Sequence, residues 1–583
     1  MKEHQEKAEV TSQSPRGQYS RVSRLEGTTA KVHPAKEARE RLRLPKEETA
    51  SNTVEKSVEK KPQKEHKVKK KRKVTAPEPQ KVASRKQPGT NRLMTSKRVP
   101  VLRRHRLFLA ICSFFLALLT VSMPYMTNLA NGFQSQSLYT GYLFANGSLP
   151  YTDVFSTGGF FYYAIIALSY VLGSSVWLIF VHFVAFYMAG FYLYKIVAHM
   201  TGRRDAAVSL ALIYYLLNLG LGFGGLYPIQ WAMPLVLLGI WFLTKYFSGM
   251  TKDEAFILYG FVSVFAFMIE PRTAIFWVVS FVGILVYNIA NHHFARGFYQ
   301  LLAIIFGAIL VFYTAAYFIL NLQILGNYVY QAGSYLLGNF AIGSGNVFLT
   351  LVYQLFVAAA SGLLIGCFAL SKRSAYTARD RVIKVILLLT VALSLVMVLL
   401  VQTFQVYDLL LILPYSLVLA AVMVTNTDEV NEETMSGHES AFATYLAKHF
   451  YLPYLVVIIG ILCPLISGVL QIATVKERTD LASFVAKNTS QSDAIYVWDN
   501  SATIYLASQR KAASQIILPT VNAASETNQK LLSDDLLQNN AKYVIVNNNQ
   551  KLPSAVSTDL TSNYDIITVD NVSHFTVYQK KTS

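Results

Sequence analysis

A single acidic residue, Asp153, is the most unusual group in the first part of the hydrophobic region. Between Leu107 and Tyr194 it is the one residue with a formal charge, and it lies in a polar stretch, 146–159, between long apolar runs. A carboxylate beside a hydrophobic span is costly unless it faces water, a cavity or a cationic partner. Asp153 is therefore a candidate general base, or a ligand of a substrate or metal. The alternative is a loop aspartate that caps the following turn.

Glu270 and Arg272 form a second candidate site. They flank Pro271 where two apolar segments meet, and a proline at that point must end the first helix. An arginine at such a helix end could hold a phosphate in bidentate fashion. The alternative is an intramolecular Glu–Arg pair at a helix turn, and the sequence leaves both interpretations open.

Gln405, Tyr407 and Asp408 form a third candidate, at the entrance of an apolar segment that contains Pro414. An aspartate in this position is either a functional group or an N-cap, which is the more common role at a helix start. Tyr227 is a weaker candidate, because aromatic residues at a membrane boundary commonly form an interfacial belt.

The positive charge of the chain precedes the first apolar segment. Residues 1–106 contain 30 Lys and Arg, 12 Glu and no Asp, and so carry +18 of the net charge of +19. Their composition cannot bury enough apolar surface to offset the entropy of ordering. We therefore predict that residues 1–104 form a disordered basic cytoplasmic tail. Its basic run at 67–73 is expected to contact anionic membrane lipids and not nucleic acid.

Apolar segments of about 20 residues, the length that crosses a bilayer, follow one another through residues 105–475. We predict eleven transmembrane helices, near residues 107–124, 175–197, 206–223, 229–247, 255–270, 273–290, 298–320, 347–370, 382–402, 408–424 and 452–473. The apolar stretch 158–173 is predicted to lie on the outer membrane surface, because counting it as a span would place the Lys- and Arg-rich loops outside. The outer loop 125–174 and the three candidate sites then share the outer face.

The remaining residues, 476–583, are polar and alternate strand-like with helix-like runs. Strands are predicted at 494–498, 515–518, 542–547, 566–569 and 574–578, and helices at 476–488 and 528–540. The predicted fold class is thus a polytopic α-helical membrane protein with a small C-terminal α/β extracytoplasmic domain. Three cysteines in separate apolar runs indicate neither a disulfide framework nor a metal site.

The loop that contains Asp153 resembles the first outer loop of the GT-C superfamily of membrane glycosyltransferases. The residues that carry this resemblance are Gly147, Pro150, Tyr151, Asp153 and Phe155, followed by a glycine-rich kink and an aromatic helix that ends at Gly173. The branch it is most similar to contains the protein O-mannosyltransferases and aminoarabinose transferases. The run 493–508 resembles the outer domain of many bacterial members, so that the resemblance covers roughly residues 105–583.

The resemblance implies a function at the outer face of a bacterial cell membrane. Members move a sugar from a polyprenyl-phosphate donor to an acceptor, which here would be an envelope glycan or protein. Asp153 would be the catalytic residue and Arg272 would contact the donor phosphate. The residues expected to bind substrate are Gln134, Tyr151, Glu270, Arg272, Gln405, Tyr407 and Asp408. No cofactor is certain, and the resemblance leaves open a divalent metal, on which some members depend.

The chain departs from the pattern of the family at two points. Members usually have an Asp-Glu pair before the loop glycine, and Phe133 and Gln134 occupy those positions here. The aspartate usual at the outer end of a later span is absent near Tyr227. The alternative hypothesis is therefore a non-catalytic membrane subunit of a glycosylation or cell-wall polysaccharide system, working with a partner glycosyltransferase. A transporter or lipid flippase is less favoured, since there is no repeat and few charges lie within the spans.

Overall fold

The computed structural model describes residues 100–335, 347–370, 378–399, 405–421, 451–523 and 525–581. The predicted basic tail, 1–104, lies almost entirely outside the described residues. Within them the chain is predominantly helical and ends in one five-stranded sheet. We number helices and strands in chain order.

The first nine helices form the main bundle together with the short helix α10. Their bounds are α1 Arg103–Leu118, α2 Gly132–Ala145, α3 Phe160–Val171, α4 Val176–Thr201, α5 Arg204–Leu221, α6 Pro228–Phe247, α7 Phe256–Ile269, α8 Ala274–Ala290, α9 Phe294–Asn321 and α10 Leu325–Val329. Local sequence explains several ends. Asn131 and Gln134 form a reciprocal capping box at the start of α2. Gly202, with φ of 71°, ends α4 in the left-handed conformation.

Four more helices complete the apolar part of the chain. They are α11 Val347–Ala360, α12 Ala378–Leu399, α13 at 413–421 and α14 Tyr451–Leu470.

Close approach of two helices within the bundle depends on small residues. A Cβ atom on Gly260 of α7 would lie 2.0 Å from the Ile304 carbonyl oxygen of α9, and one on Gly307 would lie 1.8 Å from the Ile257 carbonyl oxygen. Glycine at both points lets the two backbones touch, as is common between membrane helices.

Seven helices among the described residues are long and apolar enough to cross a membrane by length and composition. They are Val176–Thr201, Arg204–Leu221, Pro228–Phe247, Pro271–Ala290, Phe294–Asn321, Arg381–Leu399 and Tyr451–Leu470. Large apolar side chains such as Phe306 and Tyr313 are exposed along α9, an arrangement that suits lipid and not water. The chain is therefore a multi-pass membrane protein.

Seven of the eleven predicted spans contain a helix of this kind among the described residues, and the count of eleven stays a prediction. The segments predicted at 107–124, 255–270, 347–370 and 408–424 contain helices of at most 16 residues, or are interrupted by 3₁₀ turns. Helix α3, at 12 residues, is about 18 Å long and too short to cross a bilayer core of about 30 Å. This length agrees with the prediction that 158–173 is not a span.

The C-terminal residues fold into a sheet flanked by helices. The helices are α15 Ile472–Asn488, α16 Thr503–Ser508, α17 Pro519–Asn522, α18 Glu526–Leu537 and α19 Ser554–Asn563; the strands are β1 Ala494–Trp498, β2 Lys511–Ala512, β3 Tyr543–Asn547, β4 Tyr564–Ile567 and β5 Phe575–Lys580. The order is β2-β1-β3-β5-β4, with β2, β1 and β3 parallel and β3, β5 and β4 antiparallel. Four of the five predicted strands are present.

The strand predicted at 515–518 is wrong. These residues are extended, but the Gln515 carbonyl accepts a hydrogen bond from the Phe155 amide at 2.9 Å, and the segment joins no strand. Its apolar side chains, Ile516 and Ile517, are buried against the sheet. Burial without a sheet ladder explains why the pattern resembles that of a strand.

Two internal pairs stabilise this region. Asp499, which is fully buried, accepts hydrogen bonds from Arg478 at 2.7 and 3.1 Å and from Asn547 at 2.8 Å. Glu477 of α15 accepts from the amide and ring of His574, at the start of β5. Burial opposes ionisation of Glu477, but hydrogen bonds from His574 and Ser573 outweigh it and hold its pKa below the ordinary value.

Helix α2 lies between the helical bundle and the sheet. Tyr139 donates a hydrogen bond to the Arg510 carbonyl at 2.7 Å, and Asn522 donates to Gln136 at 3.0 Å. The Ala502 amide donates to Ser135 at 3.0 Å. The C-terminal region is thus fixed to the same end of the bundle as the predicted outer loop.

Candidate functional site

Three charged side chains that are far apart in sequence meet in the interior of the bundle. Arg272 donates from Nε to Glu270 Oε1 at 2.9 Å, from Nη2 to Glu270 Oε2 at 3.0 Å and from Nη1 to Asp408 Oδ1 at 2.6 Å. The side chains are 17%, 3% and 13% exposed for Arg272, Glu270 and Asp408. We call these three residues the ion triad.

Local sequence places the ion triad. Helix α7 ends at Ile269, and Glu270 is extended, with φ of −133° and ψ of 99°, because Pro271 follows it. The Glu270 carboxylate caps the next turn by accepting from the Arg272 amide at 3.2 Å. Asp408 lies in the 3₁₀ turn Val406–Leu411 that leads into α13. Two segments where the α-helix is interrupted, at the same end of the bundle, therefore supply all three charged groups.

The arrangement changes the predicted role of Arg272. Its guanidinium has five N–H groups, and bonds to the two carboxylates use three of them among the described residues. Two carboxylates and one guanidinium give the ion triad one formal negative charge. The Glu–Arg pair, which was the alternative interpretation, is present, and Asp408 extends it. A phosphate would have to use the remaining N–H groups or displace Asp408.

An aromatic stack lies next to the ion triad. The rings of Tyr227 and Tyr407 are 4.4 Å apart with an interplanar angle of 21°, and Phe133 lies 5.9 Å from Tyr227 and 5.6 Å from Tyr407. Asn131 donates to the Tyr227 hydroxyl at 2.8 Å. The stack joins the start of α2, the start of α6 and the 3₁₀ turn of Asp408. The sequence alone predicts no contact for Phe133, which occupies a position where the family usually has an acid.

Gln134 is engaged within the protein, and its predicted contact with substrate stays a prediction. Its side chain is buried, accepts from the Asn131 amide at 2.9 Å and donates to the carbonyls of Phe223 and Gly225 at 2.9 and 2.7 Å. Both polar ends of the amide are therefore used to fix the turn before α6. The capping pattern, Asn131 followed three residues later by Gln134, was the sequence signal for this role.

Asp153 lies in an exposed turn and not in the ion triad. The residue is exposed, and its carboxylate accepts a hydrogen bond from the Leu149 amide at 2.7 Å, which caps the turn 149–153. The turn-capping alternative describes this geometry. The catalytic role proposed for Asp153 from the family resemblance stays a prediction.

Tyr151 and Gln405 lie outside the ion triad. Tyr151 is fully buried and adopts φ of 69°. Its hydroxyl donates a hydrogen bond to the Gly158 carbonyl at 2.8 Å, and its ring centroid lies 5.1 Å from that of Tyr328. Its hydroxyl is thus used within the loop. Gln405 is half-buried, and its carbonyl accepts from Gln354 at 3.0 Å. Their predicted contacts with substrate stay predictions.

The glycine-rich kink after Asp153 packs against the end of α7, next to the ion triad. The Gly159 amide donates to the Ile269 carbonyl at 3.0 Å, and a Cβ atom on Gly159 would lie 2.2 Å from the Met268 carbonyl oxygen. The loop can approach the end of α7 this closely only because residue 159 has no side chain. Part of the family-like loop therefore positions Glu270, which follows Ile269 directly.

A cavity of about 280 Å³ opens beside Arg272. Phe267, Tyr328 and Met397 are among the residues that line it, and the lining is almost entirely apolar. Of the described residues around this cavity, Arg272 is the one that carries a charge. Since Glu270 and Asp408 pair with Arg272, the cavity itself suits an apolar group.

The ion triad does not fit a divalent metal. Hard cations take about six oxygen ligands, whereas Arg272 already stands between the two carboxylates. Among the described residues, no group of three or more His, Cys, Asp or Glu side chains is placed to hold a metal ion. We therefore derive no step through a metal.

Comparisons with known proteins give two family matches. Residues 94–472 match the family described as putative competence-induced protein Ccs4 N-terminal domain, and residues 475–581 match the Ccs4 C-terminal domain. No curated protein is a significant match to the chain.

Similar solved structures include two of ArnT from Cupriavidus metallidurans. The form bound to undecaprenyl phosphate shares 12% identity at a TM-score of 0.48 and covers 81% of this chain and 97% of that one. The apo form shares 12% identity at 0.42 and covers 81% and 96%. The oligosaccharyltransferase of Archaeoglobus fulgidus, in complex with Zn and sulfate, shares 12% identity at 0.41 and covers 76% and 68%.

Proposed function

The chain belongs to the Ccs4 family, whose description names competence and no chemistry, and we propose from the geometry that it is a membrane glycosyltransferase. It would move a sugar from a polyprenyl-phosphate donor to an envelope glycan or protein on the outer face of a bacterial cell membrane. The family resemblance of the loop 147–155 supports this proposal.

The observation that carries the proposal is the apolar cavity with Arg272 in its lining. A polyprenyl phosphate has a long apolar tail and one anionic group. The apolar walls of the cavity suit the tail, and the phosphate would have to displace Asp408 to reach the Arg272 guanidinium. Arginine is well suited to this contact because its N–H groups match the oxygens of a phosphate in pairs. The aromatic stack beside the ion triad offers flat surfaces of the kind on which sugar rings commonly lie.

The proposed reaction assigns a role to each charged group. The bond between the sugar anomeric carbon and the donor phosphate oxygen breaks, and a bond from that carbon to the acceptor oxygen forms. Arg272 would hold the polyprenyl phosphate that leaves. The acceptor proton passes to a carboxylate, for which Asp408 is favoured, because phosphate binding at Arg272 would release it from its 2.6 Å contact. Asp153 is the other candidate base.

The proposed orientation follows the distribution of positive charge. Lys195 and Lys245 lie at the ends of α4 and α6 remote from the ion triad. Loops rich in Lys and Arg stay in the cytoplasm. On this argument the ion triad, the outer loop and the C-terminal sheet lie outside, and the N-terminus lies in the cytoplasm.

Glycan analysis of a strain without this gene tests the proposed function. We expect the deletion to remove one sugar decoration from the cell envelope and a plasmid copy to restore it, because the donor would no longer be used. Mass spectrometry of released glycans and cell-wall polymers gives the readout. An envelope with unchanged composition in the deletion strain would contradict the proposal.

A second candidate function is a non-catalytic subunit of the same kind of system. It is favoured by the internal use of Gln134 and by the engagement of both triad carboxylates with Arg272. The deletion would again remove a decoration. The purified protein alone would then transfer no sugar, and it would co-purify with a partner glycosyltransferase that does.

A further inference from the structure

A second cavity, of about 470 Å³, lies between α1, α4 and α6. Its lining includes Arg106, Lys195, His199 and Lys245, together with the Trp241 ring. We call it the basic cavity. A contact between His105 of α1 and the Tyr194 hydroxyl of α4, at 2.9 Å, fixes the start of one helix beside the end of the other.

The basic cavity lies at the opposite end of α6 from the aromatic stack. Tyr227 immediately precedes α6, and Lys245 lies in its last turn. At 1.5 Å per residue these positions are about 27 Å apart along the helix axis, close to the thickness of a bilayer core of about 30 Å. The two sites therefore face opposite surfaces of the membrane. The basic cavity is not part of the site proposed for sugar transfer.

The charges of the basic cavity have one sign. Arg106, Lys195 and Lys245 are cationic, and none of the described residues that line it is acidic. Lys195 is half-buried, and its Nζ atom lies 4.5 Å from the Phe191 ring centroid and 5.7 Å from that of Trp241. Contact with aromatic faces partly offsets the loss of hydration. Arg106 and Lys195 are like charges at the edge of a membrane, and an anion between them would remove their repulsion.

We propose that the basic cavity binds a phosphate group, presented either by an anionic phospholipid or by a soluble phosphate compound. A guanidinium and two ammonium groups can surround the phosphate oxygens, with Arg106 supplying paired N–H donors. The Phe191 and Trp241 rings, which line the basic cavity, would contact the apolar part of the ligand. Basic cavities between helices on the cytoplasmic side suit the headgroups of anionic lipids.

The test uses the purified full-length protein in lipid nanodiscs. In the lipid arm, native mass spectrometry counts phosphatidylglycerol retained from mixed phosphatidylglycerol and phosphatidylcholine discs. In the soluble arm, thermal unfolding is followed in pure phosphatidylcholine discs with and without inorganic phosphate or pyrophosphate. The variants are Lys195→Gln alone and with Arg106→Gln. The matched control is Lys252→Gln, which removes an exposed lysine near the same end of α6.

Either arm can support the proposal. If the ligand is a lipid, the wild type and Lys252→Gln retain phosphatidylglycerol, and the double variant retains at least about fivefold less, since each lost phosphate contact weakens binding. If the ligand is soluble, phosphate raises the unfolding temperature of the wild type and not of the double variant. A wild type with no preference for phosphatidylglycerol and no response to phosphate overturns the proposal, whether or not the variants fold. Equal losses in Lys195→Gln and Lys252→Gln overturn it too. Neither result bears on sugar transfer.

Discussion

Replacement of Arg272 by leucine is expected to lower the free energy of unfolding by about 3–5 kcal/mol. Glu270 and Asp408 would then lie in the bundle interior with no cation, and removing one partner of a buried ion group leaves uncompensated charge. Denaturant or thermal unfolding of the purified protein in one detergent measures the effect. The matched control is Arg296→Leu, since the Arg296–Asp253 pair is exposed and should contribute only about 0–1 kcal/mol.

A neutral triple variant separates stability from function. Glu270→Met, Arg272→Met and Asp408→Leu together replace all three charged groups by apolar side chains of similar volume. We expect this variant to recover most of the lost stability, because buried ion groups can be replaced by neutral ones at little cost. It should still transfer no sugar. A triple variant as unstable as Arg272→Leu, or Arg272→Leu with wild-type stability, would contradict the description of the ion triad as a buried, mutually compensated group.

The Asp408→Asn variant is expected to fold normally and to lose sugar transfer by a factor of about 10²–10⁴, the usual contribution of a general base. The asparagine oxygen can still accept the hydrogen bond from Arg272 Nη1, so the bundle should be unaffected. Complementation of the deletion strain, with envelope glycans quantified against protein amount, measures the loss.

Asp153→Asn is the control for this experiment and distinguishes the two candidate bases. An asparagine at 153 can still accept from the Leu149 amide, so we expect transfer near the wild-type level and a stability change of about 1 kcal/mol or less. Loss of transfer in Asp153→Asn with full transfer in Asp408→Asn would assign the base to Asp153. Full transfer in both would favour the non-catalytic alternative.

The components of the ion triad were visible in the sequence, but their meeting was not. Charges next to a proline between apolar segments indicated Glu270 and Arg272, and the Glu–Arg alternative follows from their spacing. Asp408 lies 136 residues beyond Arg272, and no local pattern reports such a contact. The sequence could therefore supply the candidate residues. Only the fold brings the segment of Glu270 and Arg272 together with the segment of Asp408.

Asp153 is a residue whose sequence context did not predict its place in the fold. Its isolation among apolar residues made it the leading candidate, but whether a residue is buried depends on how the loop folds and not on the composition around it. The turn 149–153 exposes Asp153 and uses it as a cap. The capping contact of Gln134 is predictable, because its spacing from Asn131 is that of a capping box.

Helices and strands were predicted correctly where the residues that determine them are close together in the sequence. Strands β1, β3, β4 and β5 carry their own alternation and β-branched residues, and all four were predicted. The segment 515–518 has the same pattern, but Phe155, distant in sequence, takes its hydrogen bond. The segment 255–270 was predicted with bounds close to those of its helix, because Pro271 ends that helix.

Binding of a polyprenyl phosphate to the purified protein tests the central claim most directly. The measurement compares a polyprenyl phosphate with the matching polyprenol in the wild type, Arg272→Gln and Arg296→Gln. Charge-assisted hydrogen bonds of about 1.5–3 kcal/mol predict that the wild type and Arg296→Gln prefer the phosphate by roughly 10–150-fold, and that Arg272→Gln loses this preference. Equal affinity for both lipids in the wild type, or an unchanged preference in Arg272→Gln, would contradict the account.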